Sequence, residues 1–213
     1  MSTSKNAAAA QTTDASKLIA APRWLAVLLI ITGLLGLLAS FSLTLEKLHH
    51  LQFPDDELTC SINPWIQCTT NLDSAQGAVF GFPNPIIGLM TFVAPIAVGV
   101  LTLAGARFAR WAWNAFIAGV FLALVFAMWL ASQSLFVLGT LCPWCFVVWM
   151  TMFTMSVPVF MWGFGSGALP APAGLRRFAK KYLAWSWVGS LLLAVILICT
   201  AIIRIPQLVT MLF

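Results

Sequence analysis

Phe136-Val137-Leu138-Gly139-Thr140-Leu141-Cys142-Pro143-Trp144-Cys145-Phe146-Val147-Val148-Trp149 joins two long apolar runs through a very short link and sets a Cys-x-x-Cys at the start of the second run. Each run is long enough to cross a bilayer, for which about 20 apolar residues are needed. The link must therefore sit at a membrane surface, with both cysteines beside it. Pro143 suits the first helical position, where its missing N–H is no loss. The positive end of the helix dipole favours a thiolate at Cys142. Residues 142 and 145 are three apart on a helix, so they share a face and are close enough to bridge.

Outward from this link the apolar character continues through most of the chain. Of 213 residues, 61% are hydrophobic and 8% charged, whereas a soluble domain carries about 25% charged residues. Five runs qualify as membrane spans, at 24–45, 84–106, 111–138, 142–163 and 183–205. The fold class that follows is all-α. It is a polytopic membrane helix bundle with a four-helix unit over 22–163 and a fifth transmembrane helix within 183–213. A tail over 1–21, rich in Ala, Ser and Thr, reads as disordered, and 164–182 reads as a Gly- and Pro-containing connector. The first run is too long for the apolar region of a cleaved signal peptide, so it reads as a retained helix.

Charge sets the orientation. Nine of the eleven Lys and Arg fall in three groups: Lys5, Lys17 and Arg23; Arg107 and Arg110; Arg176, Arg177, Lys180 and Lys181. Every acidic residue except Asp14 lies between Glu46 and Asp73. By the positive-inside rule the N-terminus is cytoplasmic, and both cysteine pairs face the other side. The basic balance reflects this orientation. With no basic patch interleaved with aromatics, nucleic acid is not implied as a partner.

Cys60 and Cys68 lie in the outer loop, 46–83, and both pairs then face an oxidising compartment, where disulfides persist. Four cysteines can form two inert bridges, a zinc site or a redox relay. Zinc favours Cys-x-x-Cys pairs on flexible loops, whereas here one pair has seven intervening residues and the other starts a membrane helix. A reducible Cys-x-x-Cys at a helix start favours the redox cycle. Cys199, alone in the fifth run, reads as packing.

The loop carries further signals. Residues 58–68, interrupted by Pro64, read as a mobile carrier for Cys60 and Cys68. Asp73 with Gln76 three residues on resembles a helix N-cap, which predicts a short lid helix over 74–80. Asn84, at the mouth of the second run, serves either as a cap or as a donor to a buried carbonyl. Trp129, Phe136, Trp144, Phe146 and Trp149 either line an apolar chamber or form a membrane-interface belt. Glu46 and Lys47 read as the end of the first helix. His49 and His50, just beyond it, and the run Asp55-Asp56-Glu57 read as solvated surface. Proton shuttling or metal binding is the alternative for the histidines.

Taken together, Cys60 and Cys68, Ser74 six residues on, Gly81-Phe82-Pro83-Asn84-Pro85-Ile86-Ile87-Gly88-Leu89 and Cys142-Pro143-Trp144-Cys145 resemble the vitamin K epoxide reductase family. The order of the pairs distinguishes this pattern from the DsbB quinone-linked oxidases, in which Cys-x-x-Cys comes first. The likeness covers about residues 22–163. It implies that Cys60 exchanges with the dithiol of a partner protein, that Cys68 exchanges with Cys142, and that Cys145 faces a quinone. It also implies that Ser74 and Asn84 are polar groups around that quinone. Trp149 stands where vertebrate members have a tyrosine that contacts the quinone, and an indole can donate only through its N–H.

The resemblance thus implies a membrane thiol oxidoreductase that makes disulfides, with menaquinone or ubiquinone as electron acceptor. Many bacterial relatives fuse a thioredoxin-like domain after the fifth helix. Here a separate extracytoplasmic thioredoxin-like or DsbA-like partner is expected, at a bacterial cytoplasmic membrane. A quinone or quinone-epoxide reductase of the same fold is the first alternative, and a membrane scaffold stapled by disulfides is the second. The resting pairing stays open between Cys60–Cys68 with Cys142–Cys145 and a Cys68–Cys142 bridge.

Overall fold

The computed structural model describes residues 18–207. The expected tail over 1–21 lies mostly outside the described residues, as does the end of the chain after Gln207. The first helix, α1, spans Arg23–Gln52. It is followed by a short α2 (Thr69–Asp73), a 3-10 turn (Ala75–Ala78) and α3 (Pro85–Leu103). Helix α4 (Arg110–Ser132) runs on as a π-helical turn, Gln133–Leu138, and α5 spans Pro143–Ser166. Then come α6 (Ala173–Tyr182), a second 3-10 turn (Leu183–Trp185) and α7 (Ser186–Arg204). Among the described residues, five stretches are long and apolar enough to cross a membrane, as the sequence predicts.

Helix α1 is the spine, packing on both α3 and α5. Its contact with α3 depends on small residues that let the backbones approach, the usual solution where lipid is the competing solvent. A Cβ on Gly99 would meet Ala26 O at 2.7 Å, one on Gly33 would meet Ile96 Cγ1 at 2.6 Å, and one on Gly36 would overlap the Phe92 ring. The core between the helices holds Leu25, Leu29, Phe92, Trp113, Phe153 and Val159. Helix α7 lies against α5, where Ser190 Oγ donates to Phe153 O at 2.9 Å. Its far end places the Arg204 guanidinium 4.2 Å from the Phe136 ring centre.

Three local features differ from the expected ones. Helix α1 continues to Gln52 rather than ending near residue 45, so Glu46, Lys47, His49 and His50 are helical. At 1.5 Å per residue its 30 residues extend about 45 Å, against a hydrocarbon core of about 30 Å. The helix is therefore about ten residues longer than a perpendicular crossing of that core requires. The connector over 164–182 contains a helix, α6, because Gly167 closes α5 in the left-handed conformation and Pro172 starts the next helix. Leu18–Ile19, inside the expected tail, pairs antiparallel with Phe108–Ala109, and Trp113 Nε1 donates to Ile19 O at 3.2 Å.

Candidate redox active site

The link after α4 is stitched to the cysteine loop. Gly139, with φ 66°, turns the chain at the end of the π-helical stretch. Ser134 Oγ then donates to Thr140 O at 2.5 Å. Leu141 N donates to Trp65 O at 2.8 Å, and Gln67 N donates to Leu141 O at 3.1 Å. Asn63 Oδ1 accepts from the N–H groups of Trp65 and Ile66, closing the loop into a defined turn. The stretch expected to be a mobile carrier is therefore an ordered turn, held by these bonds to the residue before Cys142.

The stitching sets the sulfurs in a row. Cys60 and Cys68 form a disulfide, while Cys142 and Cys145 are thiols. Cys142 Sγ lies 3.3 Å from Cys68 Sγ, within the roughly 3–3.5 Å of a near-attack arrangement. Cys142 is the N-cap of α5, and its sulfur accepts the Cys145 N–H at 3.4 Å, where a serine or aspartate oxygen would usually sit. Cys60 is 6% exposed, and Cys68 and Cys142 are fully buried among Leu43, Leu58 and Leu72. This is neither of the two pairings left open by the sequence: Cys60–Cys68 is closed, as in the first, but Cys142 and Cys145 are free thiols.

Cys145 opens onto a cavity of about 470 Å³ among α1, the loop and helices α3 to α5. Ser74, Asn84 and Trp149 line the same cavity, so all three polar or aromatic candidates and the inner cysteine meet there. The aromatic lining is otherwise Phe80, Phe92 and Phe126. Trp129, Phe136, Trp144 and Phe146 are not part of it. Trp129 and Phe136 face outward, as belt residues do. Gln76 and Gln133, not singled out by the sequence, also line it, and Gln76 Nε2 lies 3.4 Å from Gln133 Oε1.

The roof of the cavity is built from residues 69–84. Ser74, rather than Asp73, caps the 3-10 turn. Its Oγ accepts Gly77 N at 3.0 Å and donates to Asn71 O at 2.8 Å. Asn84 makes no side-chain cap to α3. Its Nδ2 donates to Gln76 O at 2.6 Å, and its Oδ1 accepts Val79 N at 3.3 Å, so it ties the roof to the mouth of α3. Asn71 Nδ2 donates to Thr140 Oγ1 at 2.9 Å, joining roof to link.

The projecting end of α1 braces the loop from the other side. Glu46 accepts from Thr59 N and Thr59 Oγ1, next to Cys60. His49 pairs with Asp56 at 3.4 Å. Lys47 Nζ and His50 Nε2 hold the two oxygens of Asp73 at 2.7 and 2.8 Å. The reading of His50 as solvated surface is thus corrected: it is a mostly buried partner of Asp73. Burial pushes the Asp73 carboxyl up, but the hydrogen bonds and charges of Lys47 and His50 outweigh that and hold it below its ordinary value. Among the described residues no cluster of His, Cys, Asp or Glu has the makings of a metal site.

A family model described as the vitamin K epoxide reductase family matches residues 27–160, a span that includes all four of these cysteines and the whole cavity lining. No curated protein matches the chain.

Proposed function

We propose, for a chain that belongs to the vitamin K epoxide reductase family, that it oxidises the dithiol of an extracytoplasmic partner and passes the electrons to a membrane quinone. The single observation carrying this reading is the contact of Cys142 Sγ with the Cys68 sulfur of a closed disulfide, while Cys145 faces the cavity.

The steps balance as follows. A partner thiolate attacks Cys60, and the second partner thiol resolves the mixed disulfide, leaving Cys60 and Cys68 as thiols and the partner oxidised. The Cys68 thiolate attacks Cys142 of a Cys142–Cys145 bridge, and Cys145 leaves as a thiolate. Cys60 then attacks Cys68, re-forming Cys60–Cys68 and freeing Cys142. The arrangement described above is the state reached at this point. Cys142 and Cys145 next close on each other, giving up two electrons and two protons. A bound quinone would supply the acceptor for both. The cavity fits such a ring: its walls are apolar, with a few amide and hydroxyl groups from Ser74, Gln76, Asn84 and Gln133 to meet carbonyls.

The inner pair borders the apolar cavity, where a lipid-soluble acceptor can meet it. The outer pair lies in the loop, where its burial requires the loop to open before a soluble protein reaches Cys60. The distribution of charge supports a cytoplasmic N-terminus, with the cysteines on the outer side of a bacterial cytoplasmic membrane. A scaffold stapled by disulfides would leave the free thiols Cys142 and Cys145 unexplained.

The test mixes purified protein with a reduced DsbA-like dithiol protein and a soluble quinone analogue, following quinone absorbance and partner thiols together. Matched consumption, abolished in Cys145→Ala and Cys60→Ala, is the expected result. Turnover with a small dithiol that survives in Cys60→Ala would confine Cys60 to partner exchange. No turnover by a folded wild-type protein would sink the oxidase reading.

A further inference from the structure

At the end of the bundle opposite the cysteines, the described residues leave a cluster of cations without carboxylate partners. After Asp73 the sequence has no carboxylate side chain. The three ion pairs among the described residues all lie at the cysteine end. Among the described residues, Arg23, Arg107, Arg110, Arg176, Arg177, Lys180 and Lys181 therefore have no carboxylate partner there; Asp14 lies outside the described residues. Arg110 is partly satisfied, its Nε donating to Ala168 O at 3.3 Å. Arg176 is not: its Nε is buried without a partner, although its guanidinium is packed close to Gly167.

Helix α6 presents these cations in a particular way. Ala179 is buried against α5, while Leu175, Phe178 and Tyr182 are exposed on one side and the basic residues lie on the other. A short helix with separate apolar and basic faces lies in the plane of a membrane interface. Arg176 and Lys180 are one turn apart on the same face. Lys180 packs its stem along Gly165 and lines a surface hollow of about 470 Å³. The rest of that hollow is mainly apolar, with Trp24, Trp162 and Leu183 in its wall and Ser166 at its polar side. Exposed Trp111, Trp185 and Trp187 mark the same end of the bundle as interfacial.

We propose that this hollow binds an anionic phospholipid. The phosphate sits at Lys180, with Arg176 one turn away on the same helix face adding counter-charge, and an acyl chain lies along Trp24 and Trp162. A free phosphate would meet the cations but leave the tryptophan wall empty. The bound lipid joins the start of α1, the end of α5 and α6, the joint through which the fifth helix is attached.

The test is native mass spectrometry of the delipidated protein, offered phosphatidylglycerol or phosphatidylcholine with identical acyl chains. The wild type is expected to retain phosphatidylglycerol at least about tenfold better. Each cation removed is expected to cost about fivefold, so Arg176→Gln/Lys180→Gln loses the preference. Lys180→Gln alone leaves the Arg176 packing on Gly167 intact and reads out the same loss if the double variant fails to fold. Millimolar inorganic phosphate should not displace the lipid. Equal retention of the two lipids by the wild type, unchanged retention in both variants, or displacement by inorganic phosphate would each overturn the site.

Discussion

Asp73 is where the roof of the cavity is fastened to α1, and its chemistry sets a pH limit on that fastening. Lys47 and His50 hold its carboxyl below the ordinary carboxylate value, which in an unfolded chain is about 3.9. A carboxylate with a lowered folded-state pKa adds stability above the unfolded value and loses it as pH falls through the folded one. The contribution of Asp73 is therefore present at neutral pH and is lost progressively as pH falls below about 4 through the lowered folded-state value. With 43% of its side chain exposed, it is worth less than about 1 kcal/mol. Thermal melting of wild type and Asp73→Asn should differ by a few degrees at pH 6, and the gap should narrow steadily as pH falls below about 4. A gap that does not narrow would show that the carboxylate charge is not what fastens the roof. Gly77 is the second sensitive residue, because a Cβ there would sit 3.0 Å from Leu72 O and closer still to Asn71 O. Gly77→Ala must push the 3-10 turn of the roof away from α2. We expect a quinone KM raised about tenfold, consistent with an overpacking cost of about 1–3 kcal/mol, with Cys60–Cys68 exchange toward small dithiols unchanged. An unaltered KM would mean that the roof does not shape the cavity.

Contact between helices α1 and α3 controls the cavity at the level of elements, through Phe92, which packs over Gly36 and also lines the chamber. Gly36→Ala is expected to lower stability by about 1–3 kcal/mol and to reduce quinone turnover by displacing Phe92. Gly36→Ala/Phe92→Leu should recover part of the melting temperature, since the smaller side chain gives the new methyl room. No recovery would place the damage in the backbone contact instead. This element pair also shows what a membrane sequence does and does not disclose. The five spans and the two cysteine pairs were legible, because long apolar runs and rare polar residues stand out against lipid. The grouping of Cys145 with Ser74, Asn84 and Trp149 came from the family resemblance alone. The inward faces were not. With lipid on one side and protein on the other, both faces of a helix are apolar, so Trp129 and Phe136 read as well for the chamber as Phe92 and Phe126 do. The projecting turns of α1 were hidden for the opposite reason. Glu46, Lys47, His49 and His50 look like the end of a membrane helix, and only Thr59, Asp56 and Asp73, distant in sequence, give them partners. Helix α6 lay concealed among the glycines and prolines that bracket it.

For the molecule as a whole, the two ends of the bundle carry opposite charge chemistry, and on the proposed reading this polarity sets the orientation of the cysteines. One end holds Glu46, Asp55, Asp56, Glu57 and Asp73 with the four cysteines around the cavity roof; the other holds the basic residues of the two turns and of α6. Retaining Lys and Arg on the cytoplasmic side is the dominant determinant of orientation, while acidic residues count for little. The cysteine end should then face outward, as a disulfide exposed to an oxidising compartment requires. The fifth helix adds nothing to the chamber, since no described residue of α7 lines it, and its apolar contacts with α5 can be replaced by lipid at small cost. What precedes it is a further basic stretch, Arg176 to Lys181, at the end opposite the cysteines. Alkaline phosphatase, which is active only where its own disulfides form, reports the arrangement. Inserted after Asp55 it should be active, and inserted after Arg107 or after Pro172 it should be inactive. Exchanging Arg176, Arg177, Lys180 and Lys181 for glutamine should weaken that contrast at Pro172 while leaving the Asp55 insertion active, because the first two basic groups still orient the four-helix unit. Activity at Arg107 with silence at Asp55 would invert the molecule. It would put the Cys60–Cys68 bridge in a reducing compartment and require a relay that runs from quinol toward protein thiols.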